Sequence, residues 1–155
     1  MTKEHKLQYK KRLHQYGITI LQERIDATML AMQNAQAAAN SEEKSSAGDK
    51  YETGRAMSHL EKDMHARQLV ANQNELASLL SVQCNTIHSI VSTGSIVIFN
   101  GFTFFIAAGL GKIIFDGEAV YLLSPSAPVA KLLLTKIVGD KMNFNNKEII
   151  IENIF

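Results

Sequence analysis

The sequence has no tryptophan, a single cysteine and only two prolines, and its 155 residues carry a net charge of +1. One cysteine, Cys84, cannot close an internal disulfide, which fits a reducing compartment and a cytoplasmic protein. No metal or redox motif surrounds it, so it reads as a small, partly buried residue on a helix. A charge this close to neutral gives no global attraction to nucleic acid or membrane, so any electrostatic role must come from local clustering. Long hydrophobic runs are also absent. The most apolar stretch, 96–115, is broken by Asn100, Gly101, Gly109 and Gly111, whereas a membrane helix needs about 20 uninterrupted apolar residues. Its β-branched and aromatic content suits paired strands instead, and no membrane partner is expected. Residues 1–12 are polar and lysine-rich, unlike a secretory signal.

What is present divides in two. A hydrophobic fraction of 46% with 20% charged residues is ordinary for a globular protein. Up to about residue 85 the chain uses Gln, Ala, Glu, Lys, Met and Leu, all good helix formers, and no proline. Beyond it come Ile, Val, Phe, Gly, Asn and both prolines, Pro125 and Pro128, which is strand-and-turn chemistry. The expected organisation is a helical hairpin over 1–85, a linker over 86–94 and a β-rich domain over 95–155.

In the first part Ile18, Leu21, Ile25, Met29 and Met32 step by three and four, as on one face of a helix. Met57, Leu60, Met64, Val70 or Ala71, and residues 76–80 do so less cleanly. The polar run 40–49 lies between them and favours a turn. Two amphipathic helices joined this way form an antiparallel hairpin. About 30 residues per arm at 1.5 Å each would reach roughly 45 Å. The faces are too thin in large apolar residues for a globular bundle, so a projecting rod is expected. Gly17 interrupts the first arm and is expected to loosen or kink it. In the second part, strands are expected near 95–99, 103–108, 119–123, 142–144 and 147–152. Asp116-Gly117 and Asn145-Asn146 would be tight hairpin turns, and a short helix over 129–135 would start near Pro128. The fold class is α+β, with a small antiparallel sheet packed by one helix.

Asp49 and Glu52 stand three apart where the second helix should begin, so both carboxylates would lie on one side of its first turn. Two such oxygen donors suit a hard cation such as Mg²⁺ but fall short of its six ligands, so a partner would have to complete the site. Such a metal would generate a hydroxide nucleophile at phosphorus. The competing reading is structural: acids in a first turn are ordinary capping and dipole partners. Lys50 and Arg55 flank the pair and could meet phosphates, or simply be solvated. Lys3, Lys6, Lys10, Lys11 and Arg12 form a basic cluster whose default reading is a solvated helix face. His59 and His65, six apart, sit about 240° round a helix and cannot share a metal. Residues 109–112, Gly-Leu-Gly-Lys, lack the spacing of a phosphate loop and read as a strand-end turn.

The motif Gly48-Asp49-Lys50-Tyr51-Glu52 at the turn of a hairpin resembles the tip of the Gre-type transcript-cleavage factors, whose pattern is Gly-Asp-x-Ser-Glu-Asn. Independently, residues 127–136, Ala-Pro-Val-Ala-Lys-Leu-Leu-Leu-Thr-Lys, then Val138-Gly139-Asp140, resemble a stretch of the FKBP-like domain of that family. The resemblance implies an accessory factor, not itself an enzyme, that acts as a monomer on RNA polymerase. Pro128, Lys131 and Lys136 would help dock the globular domain at the mouth of the secondary channel. The hairpin would enter that channel, and Asp49 and Glu52 would act as the catalytic acids, helping hold Mg²⁺ beside the polymerase's aspartates near the nascent RNA 3′ end. In isolation the protein would need no cofactor. Lys50, Tyr51 and Arg55 would contact RNA or polymerase near the tip. Tyr51 stands where the family has serine, Thr53 where it has asparagine, Thr135 for a glycine and Ala127 for a serine. Tyr51 leaves open a non-cleaving regulator of the same channel. An FKBP-like domain also suggests prolyl isomerisation, but the second half shows no tryptophan or aromatic pocket signature, so a docking module is expected.

Overall fold

A computed structural model describes residues 1–44 and 48–155, the side chains of 42–51 excepted. The chain is α+β. Helices α1 (Lys3–Lys44) and α2 (Gly48–Ser81) form an N-terminal hairpin, followed by strands β1 (Ile96–Phe99), β2 (Phe102–Ile106), β3 (Gly111–Phe115) and β4 (Glu118–Leu123), helix α3 (Pro128–Leu133), and strands β5 (Lys141–Phe144), β6 (Lys147–Ile150) and β7 (Asn153–Ile154). No helix of the described residues is long and apolar enough to cross a membrane.

The main sheet runs β3-β4-β2-β1-β7, with β5 and β6 as a separate two-stranded hairpin. It is antiparallel except where β4 pairs parallel to β2, in register Thr103 with Val120 through Ile106 with Leu123. The chain leaves β2, forms the outer strand β3, then turns back between them. Both expected turns are present: Asp116 and Gly117 have φ of 51° and 81°, and Asn145 and Asn146 have 50° and 62°. That left-handed pair matches the right-handed twist of a two-residue hairpin. Asn100-Gly101, with φ of 47° and 74°, makes a third such turn, joining β1 to β2.

Both faces of the sheet are covered. Val97, Phe99, Phe104 and Ile106 point one way and pack with Ala130 and Leu133 of α3 and with Ile149, Ile151 and Ile154. Residues of the alternate set, Ile96, Phe105, Val120 and Leu122, are equally buried on the other side. Burying each such side chain contributes about 1.5–3 kcal/mol.

Contacts divide the chain into one unit of Met1–Thr19 with Glu75–Phe155 and a second of Ile20–Asn74. The division falls inside the helices, whereas composition changes near residue 85, because a continuous helix can serve two units without any change of residue type. Within the first unit, Tyr9 meets Phe115 edge-on at 5.5 Å between ring centroids, and His14 Nε2 lies 2.6 Å from the Leu79 carbonyl oxygen. Helix α1 runs unbroken through Gly17. A Cβ there would lie 3.0 Å from Leu79 Cδ2 and 3.2 Å from Leu122 Cδ2, so the glycine serves close packing. In the segment 86–94, Val91 is buried, and its amide donates to the Lys136 carbonyl at 2.8 Å. Cys84 is buried as expected, but just beyond the end of α2.

In the second unit the buried stripe of α1 is Leu21, Ile25, Thr28 and Ala35. Leu21 and Ile25 match the expected face, while Met29 is exposed and small Thr28 takes the seam. On α2 the expected face fails in this unit, where Met57, Leu60, Met64 and Val70 are all exposed, and holds only beyond it at Leu79, which is buried. Half-buried Gly54, Ser58, His65, Leu69 and Asn72 take the inward positions instead. Small and polar residues at the seam allow closely spaced axes, and apolar residues all round α2 blur its periodicity.

Candidate functional site

The acidic motif lies at the start of α2, which begins at Gly48, so Asp49 and Glu52 fall within its first turn and the next. Glu52 and Arg55 are exposed. The side chains of Asp49, Lys50 and Tyr51 lie outside the described residues. The backbone is informative by itself. The first N–H groups of a helix have no intrahelical partner, and the helix dipole gives this end a partial positive charge. Carboxylates and phosphate oxygens are both favoured there. The donor set, two carboxylates near one helix end with Glu52 open to solvent, suits a hard divalent cation completed by a partner's oxygens. Among the described residues no group of three His, Cys, Asp or Glu side chains could hold a metal by itself.

The second motif builds a different surface. Pro128 occupies the first turn of α3, where its missing N–H costs nothing, and the turn closes with the Lys131 amide donating to the Ala127 carbonyl at 2.9 Å. Pro128 and Lys131 are exposed and Lys136 is half-buried. The Thr135 amide donates to Val91 O at 2.9 Å, and Thr135 itself sits at φ 71°. The Gly139-Asp140 pair closes a turn in which Asp140 Oδ2 accepts the Ile137 amide at 2.9 Å. Ile90 and Ile137 face each other across an isolated bridge. Both are about half exposed, as are Leu132 and Val138. Sequence reasoning missed this apolar surface, because each of its residues looks like core until the strands are placed.

Other expectations change. The amino-terminal cluster is a solvated face only in part: Lys3, Lys11 and Arg12 are exposed, but Lys10 is wholly buried. Its Nζ donates to the Thr86 carbonyl at 2.9 Å, and burial lowers its pKa to about 8. Lys6 donates to Asn153 Oδ1 at 2.9 Å, and Arg12 pairs with Asp116. Lys6 thus ties the start of α1 to β7, Arg12 ties it to the β3–β4 turn, and Lys10 ties it to the segment after α2. Gly109 follows a strand end as expected, its amide donating to Glu75 Oε2 at 2.6 Å. The second half carries no aromatic pocket signature in its sequence, yet its fold builds an aromatic hollow. Phe99, Phe102 and Phe144 line a hollow of about 150 Å³, backed by Phe104 stacked on Tyr121 at 5.2 Å. The aromatics are scattered from 99 to 144, and only the topology gathers them.

No family model and no curated protein matches the chain. A solved structure described as that of the transcription factor Gfh1 is similar at 16% identity and a TM-score of 0.38, covering 89% of this chain and 92% of that one. A superposition that loose transfers neither fold nor function.

Proposed function

We propose that this chain is a Gre-type accessory factor that binds RNA polymerase and stimulates cleavage of backtracked nascent RNA. The observation carrying the proposal is the pairing of two motifs in the right order: Gly48-Asp49-Lys50-Tyr51-Glu52 opening the second helix of a hairpin, and the Pro128–Asp140 stretch in a β-rich unit. In this reading Asp49 and Glu52 present carboxylates at a helix end, where the dipole already favours anionic ligands. Lys50 and Arg55 meet transcript phosphates. Leu132, Ile137 and Val138, with Lys131 beside them in sequence, form the docking surface on the polymerase. A bound Mg²⁺ shared with the polymerase would supply the activated water and neutralise charge at phosphorus.

The test uses polymerase stalled in a backtracked complex with Mg²⁺. Added protein should release short 3′ RNA fragments, and Asp49→Asn with Glu52→Gln should abolish release while leaving binding intact. Absence of fragments above background with wild type refutes cleavage stimulation. Equal cleavage by the double variant refutes the role of the two acids. Ile137→Asp should weaken polymerase binding at least tenfold. Tyr51, an aromatic where the family pattern has serine, supports a second reading in which the factor occupies the channel and slows the polymerase without cleavage. Inhibited elongation with no fragments is its signature.

A further inference from the structure

Helix α2 carries a second face, turned about 100° from its seam. On it Met57, Leu60 and Met64 follow at steps of three and four and are 65%, 70% and 50% exposed. Farther along the same helix, Ala66 together with four further residues, Arg67, Val70, Ala71 and Asn74, lines an open hollow of about 420 Å³. Those four stand at i, i+3, i+4 and i+7, the positions that form the hole for a side chain of a partner helix. One helix thus shows three large side chains without a socket and a socket without a side chain.

We propose that this face is a self-complementary interface through which two copies of the chain pair, with their α2 helices antiparallel. Setting Met57 of one copy into the hollow of the other fixes the register. That register puts Leu60 over the hole formed by Met64, Arg67, Gln68 and Ala71. Met64 then falls over Leu60, Asp63, Met64 and Arg67, so the two-fold axis passes beside Met64. All three exposed side chains find holes without further adjustment, as an isologous contact requires. Glu61 of each copy, 3.6 Å from His65 of its own helix, comes within about one turn of Arg67 of the other, giving two opposite-charge pairs against one like-charge pair of Asp63 beside the axis. A parallel pairing sets Ala71 against the hollow and leaves it unfilled, so the antiparallel arrangement is the one the side chains select.

The contact spans residues 57–74, about 27 Å of helix. One helix pair of that length buries roughly 1,000 Å², at the low end for specific interfaces. The dimer is therefore reversible, with a dissociation constant of roughly 10–1,000 µM. Pairing of hairpins also blocks their insertion into a channel, so dimer and polymerase-bound monomer exclude each other. That consequence rests on the function proposed above; the dimer itself does not.

Sedimentation of the full-length protein over a concentration series tests it without any polymerase. Wild type should shift from monomer to dimer, and Met64→Lys should remain monomeric at every concentration. Glu61→Arg should weaken the dimer several-fold, and adding Arg67→Glu should restore it. Under mild oxidation Met64→Cys should cross-link readily, while Met57→Cys, far from its symmetry mate, should not. A wild type that stays monomeric near 1 mM, a Met64→Lys protein that dimerises equally well, or faster cross-linking at position 57 than at 64 would each overturn the proposal.

Discussion

Replacing Thr135 by glycine should stabilise the protein. Among the described residues five that are not glycine adopt positive φ: Asn100, Asp116, Asn145, Asn146 and Thr135, at 47°, 51°, 50°, 62° and 71°. Four are Asn or Asp, whose short polar side chains tolerate the left-handed region. Threonine is β-branched, and its Cβ crowds the following carbonyl at a cost of about 1–2 kcal/mol. The conformation is imposed by its surroundings: the Thr135 amide donates to Val91 O at 2.9 Å, and the Val91 amide donates to Lys136 O at 2.8 Å. These two bonds tie the end of α3 to the segment after the hairpin. Glycine removes the crowding but adds freedom to the unfolded chain, which offsets about 0.5–1 kcal/mol. The net gain should be about 0.5–1 kcal/mol, or roughly 1–4 °C in melting temperature. Thr135→Asn should fall between wild type and glycine. Urea unfolding followed by circular dichroism measures the series. A glycine variant with a midpoint at or below wild type, and an unchanged denaturant slope, would refute the strain.

Lys10 gives a pH test. Its folded pKa of about 8 lies below its ordinary 10.5, so burial opposes the charged form. The penalty is fully present below pH 8 and is relieved as pH rises from 8 to 10.5. Burial raises the Cys84 pKa, which acts in the opposite direction, so the comparison is wild type against Lys10→Met. The variant should lack the alkaline gain in urea midpoint, and equal pH slopes for the two proteins would contradict the assignment. Gly17→Val should cost about 2–3 kcal/mol, because its Cβ position is already crowded by Leu79 and Leu122, both fully buried; an unchanged melting temperature would argue against that packing. Tyr51→Ser should raise transcript cleavage if the aromatic side chain restrains the tip. No change in fragment yield, with polymerase binding intact, would clear Tyr51 of that role.

Much of the fold was legible because its signals are local. Asp116-Gly117 and Asn145-Asn146 specify tight turns through their own conformational preferences, and Pro128 marks the start of α3 through its missing amide. The change from helix formers to β-branched residues near position 85 separates hairpin from sheet for the same reason. The acidic motif was legible as a motif, and the structure adds that it opens α2. Faces and neighbours were another matter. Met, Leu and Ala surround α2, so only the partner helix decides that Leu69 turns inward and Met64 outward. The parallel pairing of β4 with β2, and with it the gathering of Phe99, Phe102 and Phe144, depends on strands far apart in the chain. Lys10 sits in a lysine-rich run that reads as solvated. Only the tertiary structure buries it, beside Thr86 in the segment after α2, because no sequence pattern states what a helix face will meet.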